Sequence, residues 1–170
     1  MMGLRTPPHS ATRRTRRMLT LPLALAVLLL AAHPAAAAGP PSTASGSFTQ
    51  VSFVPTHFRS AGGVTLFDFT EQDALSGTFS GTSVLHGSCV VRASGQTVCQ
   101  ALETFTGTVA GHAGTVQFRD VVFLDQTTGA AHGSFAIVGG TGDLANLHGH
   151  GTFQGMGPTG TYTAQIVFAP

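Results

Sequence analysis

Lysine is absent from the 170-residue sequence, and only 9% of its residues carry a formal charge. The eight basic residues are all arginine, and five of them (Arg5, Arg13, Arg14, Arg16 and Arg17) lie near the N-terminus. Beyond position 38, only Arg59, Arg92 and Arg119 face seven acids, a formal charge of −4, so the overall pI near 8.0 reflects the first segment alone. A lysine-free, acidic surface has little with which to neutralise phosphates, which argues against nucleic acid or anionic membranes as partners. Proline is missing between Pro55 and Pro158, as suits continuous sheet pairing, because proline cannot donate to a ladder. Past Ser47 there is no apolar stripe at helical spacing, no Gly-x-Ser-x-Gly elbow, and hence no signature of an amphipathic helix or an α/β-hydrolase nucleophile.

The N-terminal segment carries an export pattern. Four arginines between Arg13 and Arg17 are followed by an uncharged run from Leu19 to Ala32, then by Ala36-Ala37-Ala38. A positive region, an apolar region and small residues at a cleavage point describe a signal peptide over residues 1–38. The apolar run of about 14 residues falls short of the roughly 20 that span a bilayer, so a signal-anchor is the lesser alternative and no stable membrane span is expected after cleavage. Arg16-Arg17-Met18-Leu19 faintly resembles a twin-arginine signal, and the Sec and twin-arginine routes both stay open. The expected mature protein is secreted. It comprises a flexible tether at 39–46, rich in Pro, Ser and Gly, and one domain at 47–170.

That domain reads as all-β. Short runs rich in Val, Phe and Thr, punctuated by glycine, give eight strands near 47–54, 63–71, 77–92, 97–109, 114–125, 130–138, 146–154 and 160–169. Gly95 in a three-residue hairpin loop sets a register in which Cys89 lies directly opposite Cys99, within disulfide reach. An exported chain is where such a bridge forms and persists, with two buried thiols as the alternative. A turn at Ala110–Ala113 sets Glu103 opposite Asp120 on the apolar face, and a loop at Gln126–Gly129 carries that face onto Ala131, Gly133, Phe135 and Ile137. Leu147, Gly149, Gly151 and Phe153 then alternate inward, as do Tyr162, Ala164, Ile166 and Phe168. The pattern predicts an eight-stranded antiparallel up-and-down barrel, with a two-sheet sandwich as the alternative.

Two segments carry a resemblance. Phe135-Ala136-Ile137-Val138-Gly139-Gly140-Thr141-Gly142-Asp143-Leu144, followed by Leu147-His148-Gly149, resembles the apolar strand, glycine-rich turn and returning strand of allene oxide cyclase and dirigent barrels. Ala101-Leu102-Glu103-Thr104-Phe105-Thr106-Gly107-Thr108-Val109-Ala110-Gly111 resembles a bacterial secreted family of lipocalin-like barrels with no assigned function, over most of 46–169. The resemblance implies the barrel. The cyclases' catalytic set has no residue-by-residue counterpart here, so it implies no particular chemistry.

The inward face supplies the candidate site: Glu103 and Asp120, with Phe105 and Phe118 beside them and Tyr162 adding polarity. Two carboxylates in apolar surroundings cannot both ionise readily, so one would hold a proton. The plainer reading places them at a rim, or pairs them with buried backbone or with Arg119, toward which a one-residue slip would turn Glu103. His148 and His150 share a strand face but point outward in this register, so no metal site is expected, and no cofactor. Gly139-Gly140-Thr141-Gly142 lacks a P-loop lysine and reads as a tight turn. The expected function is binding of a small hydrophobic ligand inside the barrel. The alternatives are an isomerase or cyclase acting there, or a structural surface protein with a filled barrel; the oligomeric state is left open.

Overall fold

Alternation of Phe, Val and Ile with Thr, Ser and Gln gives each segment one face to bury and one to solvate, the pattern that antiparallel strands satisfy. The computed structural model describes residues 39–170, and the export signal expected over 1–38 lies outside them. Eight strands follow in chain order: β1 (Ser42–Ala61), β2 (Val64–Gly77), β3 (Phe79–Arg92), β4 (Gln96–Val109), β5 (His112–Asp125), β6 (Ala130–Gly142), β7 (Leu147–Met156) and β8 (Thr159–Phe168). Each pairs antiparallel with the next, and β1 pairs with β8 from Ser42↔Ile166 to Thr49↔Thr159, closing a barrel. Closure rules out the sandwich.

The segment read as a tether is partly strand. Ser42 to Gly46 belong to β1, and Ala44 is fully buried beneath the barrel wall. Their small, polar composition conceals this, because the inward positions here are Ala44 and Gly46, which offer no apolar bulk to signal a strand. β1 also runs on to Ala61, past bulges after Gln50 and Thr56. β8 begins at Thr159, opposite Thr49, so beyond that point β1 forms a ladder with β2 alone.

The β3–β4 register is the expected one, with Cys89 opposite Cys99 and the two joined by a disulfide. Replacing both cysteines by alanine should cost about 2–3 kcal/mol, given the ten-residue separation, seen as a lower midpoint in urea unfolding under non-reducing conditions. The β4–β5 register differs from expectation by two residues. Val109 pairs with His112, so the connection is the two-residue turn Ala110-Gly111, with φ of 51° and 89°. Left-handed backbone at both positions makes the tight turn whose twist suits a hairpin, and alanine accepts it here where sequence reasoning placed a longer loop. The two-residue offset preserves which face is inward but changes the partners. Glu103 faces Phe118, and Asp120 faces Ala101.

The interior divides along the barrel axis. At one end a packed core gathers Phe79, Phe105, Val109, Val116, Leu147 and Ile166. Leu144, from the β6–β7 turn, completes this base and is fully buried. Phe79 sits at its centre, with edge-on contacts to Phe105, Phe118 and Tyr162 at ring separations of 5.7, 5.6 and 5.4 Å. Toward the other end a thinner wall of Phe67, Phe69, Leu85, Cys89, Cys99 and Ala101 leaves the axis open.

Candidate functional site

Above the packed base the barrel encloses a cavity of about 520 Å³, a volume in the range of small-molecule sites. Its mouth lies by the turns that carry Gln126, Gly129, Gly157 and Pro158. The part of β1 beyond its pairing with β8 forms the opposite lip. There Phe53 stacks on Phe69 at 5.2 Å and meets Phe67 edge-on, and Phe58 leans over Phe67. Phe69 can lie flat against the wall because its cross-strand partner is Gly87, where a Cβ would fall 2.7 Å from the ring.

Four carboxylic acids line this otherwise aromatic space: Glu71 and Asp73 from β2, Glu103 from β4 and Asp120 from β5. Strand pairing explains their convergence. Glu71, Leu85, Glu103 and Phe118 follow one another across β2, β3, β4 and β5 in a single inward row. Asp73 lies one inward step toward the base, and Asp120 one step toward the mouth. Neighbouring strands are about 4.8 Å apart, so the four groups occupy one compact belt around half the wall. No arginine or histidine lines the cavity. Arg119 points outward and is exposed, which removes the ion pair that a one-residue slip would have made.

Burial without a counter-ion favours the neutral acid. Loss of hydration pushes Asp120 up to about 8, reinforced by the negative charges of Glu103, Asp73 and Glu71. Asp73 is pushed to about 8 first by burial, then by Glu71 and Glu103, and it hydrogen-bonds the Glu71 carboxyl. Burial likewise raises Glu103 to about 7, with Glu71 adding to the effect. Glu71 is raised by burial, but Gln50 and Asp73 both work to keep it ionised, and Gln50 Nε2 donates to Glu71 Oε1 at 2.8 Å. The belt therefore carries protons on Asp73 and Asp120 at neutral pH. One carboxyl oxygen on each, Asp73 Oδ1 and Asp120 Oδ2, is buried without a hydrogen-bond partner, as is the Thr97 hydroxyl on the same cavity wall.

Of the site residues expected from sequence, Glu103, Asp120, Phe118 and Tyr162 line the cavity. Phe105 does not: it is fully buried in the base, edge-on to Phe79. Tyr162 lends the cavity its ring rather than its hydroxyl. That hydroxyl accepts from Phe79 N at 2.8 Å and donates to Ser76 O at 3.1 Å, tying β8 to the β2–β3 turn. The strand expected near 63–71 ends on Glu71 and stops short of Asp73, so neither acid enters the site expected from sequence. The period-2 series Phe67, Phe69, Glu71, Asp73, Leu75 places both acids on the Phe-bearing face and was the available signal. His148 and His150 are exposed on the outer face. Among the described residues no group of three or more His, Cys, Asp or Glu is arranged to hold a metal ion.

A family model described as "Protein of unknown function (DUF3224)" matches residues 44–165. The crystal structure of a DUF3224-family protein of unknown function from Shewanella oneidensis MR-1 resembles this chain with a TM-score of 0.61 at 19% sequence identity. The likeness covers 77% of this chain and 99% of that one, and at this identity it speaks to the fold alone. Comparison with curated proteins finds no match.

Proposed function

Since the chain belongs to the DUF3224 family of proteins of unknown function, we propose its function from the cavity itself: the barrel binds a small, largely hydrophobic molecule. The carrying observation is the open space of about 520 Å³ walled by phenylalanines, where a filled barrel would have side chains. A purely structural barrel gains nothing from leaving that volume empty, because each unfilled contact forfeits packing energy. The reading includes an exported setting, supported by the N-terminal pattern and by the Cys89–Cys99 disulfide, which persists in oxidising compartments.

The test uses N-phenyl-1-naphthylamine, a neutral dye that fluoresces in apolar surroundings. The protein should bind it one to one with a blue-shifted rise in emission. Ala131, on the cavity wall near the mouth, gives the control. Ala131→Trp should weaken dye binding at least tenfold while the melting temperature stays within a few degrees. An unchanged dye spectrum with the wild-type protein would sink the proposal.

A second reading has its own support. Acids that hold protons near neutrality, beside one that titrates near 7, are the equipment of acid–base catalysis. An isomerase or cyclase acting on an apolar substrate, and kinship with allene oxide cyclase barrels, belong to this reading. It demands more of the cavity than binding does and stands second.

A further inference from the structure

Resting on the ligand-binding reading, we propose that the occupant of the cavity is an organic cation: an amine-bearing molecule whose apolar body packs on the phenylalanines and whose ammonium group sits within the belt of Glu71, Asp73, Glu103 and Asp120. Every charged group that faces this space is acidic. β2 contributes Glu71 and Asp73, β4 Glu103 and β5 Asp120, while β8 adds the Tyr162 ring. From β1 come Phe48, Gln50 and Phe53, and from β3, β6 and β7 only uncharged side chains. Buried charge in proteins is paired or else neutralised, and here the protein supplies no partner.

Two further observations separate this belt from a merely buried acidic patch. Asp120, 3% exposed, and Thr97, 1% exposed, both line the cavity, and each holds a buried oxygen (Asp120 Oδ2, Thr97 Oγ1) with no partner in the protein. An ammonium has three donors and no acceptor, which matches a wall built from four carboxyl groups. Apart from the Thr97 hydroxyl and the acid protons that a bound cation displaces, the wall below the mouth has no free side-chain donor, since Gln50 Nε2 is engaged with Glu71 and the Tyr162 hydroxyl with backbone. An anionic ligand such as a fatty acid would find no basic group on this wall and would hold the acids in their protonated form. The ring faces above the belt add cation–π attraction, which grows once the cation is desolvated.

The cavity also predicts how such binding depends on pH. A cation beside protonated acids draws them toward ionisation, so binding must release protons. The matched probes are 4-phenylbutylamine and 4-phenylbutan-1-ol, alike in their apolar part and differing in charge. Titration calorimetry at pH 7.5 in two buffers of different ionisation enthalpy should show the amine binding at least tenfold tighter than the alcohol, with net proton release. Between pH 6 and pH 8.5 the amine should bind increasingly tightly, while the alcohol stays level or weakens. Replacing Glu71→Gln together with Glu103→Gln should weaken the amine at least tenfold more than it weakens the alcohol, and equal losses for the two probes would overturn the inference. Should the alcohol bind as well as the amine, or the amine bind with no proton release, the inference fails while ligand binding in the barrel survives. If neither probe binds but the neutral dye does, the inference again fails alone. Exclusion of all three overturns both.

Discussion

Raising the pH from 5 to 8.5 should destabilise the empty barrel by at least about 2 kcal/mol, lowering its melting temperature by roughly 6–10 °C. The sign is opposite to the usual one for carboxylates. Asp73 and Asp120 titrate at about 8 and Glu103 at about 7 when folded, whereas in the unfolded chain they return to the ordinary range near 4. Between those limits the folded state holds protons that the unfolded state has already released. Stability contributed by these groups is complete below about pH 4, declines as pH rises, and levels off above about 8. Asp125, whose pKa is lowered by the Thr127 backbone N–H and its neighbours, acts in the ordinary direction but only at acid pH. The isosteric pair Asp73→Asn with Asp120→Asn should flatten the profile and raise the melting temperature at pH 8.5. Thermal scans from pH 4 to 9 measure it, and a curve that rises toward pH 8.5 in the wild-type protein would contradict the buried, unpaired placement of the belt.

Phe79→Ala should cost about 3–5 kcal/mol, measured by urea unfolding, and is the most damaging single truncation expected of the core. Phe79 is 1% exposed and bridges Phe105, Phe118 and Tyr162, so its loss leaves three rings facing a void. Those neighbours belong to β4, β5 and β8, from different sides of the ring of strands, and cannot collapse inward without breaking ladder pairing. Phe79 also lies at the boundary between packed base and open cavity, which it lines. The alanine variant therefore joins the void to the cavity, and a bulkier dye that the wild-type protein excludes should gain access.

How far the sequence could be read follows from where its signals are redundant. Cys89, Cys99 and Gly95 independently select one hairpin register, and that register is correct. The Gln126–Gly129 loop holds too, because Asp125 and Ala130 bracket it as paired residues. Alternation placed Glu103 and Asp120 on the inner face in spite of an error in their partners, since an offset of two preserves facing. The error arose at Ala110, where a left-handed conformation is visible in structure but has no marker in an alanine. Half the acidic belt was missed for a different reason. Two consecutive inward acids look like a strand giving way to a polar loop, and only the downstream Leu75 shows that the strand continues. Polar groups on a buried face break local patterning most where a site lies, so a sequence is least readable there.

The seam between β1 and β8 has a bearing on how the molecule comes into being. Ser42 pairs with Ile166 at the start and end of the described chain, so the ring is sealed only by its most distant partners in sequence. Joining them requires the largest loop closure in the fold and places it late. Until the last strand is in hand, β1 and β7 present two raw edges able to template pairing with other chains. A chain cut before Thr159 would lose β8 and with it the seal, and its expected fate is intermolecular assembly rather than a smaller barrel.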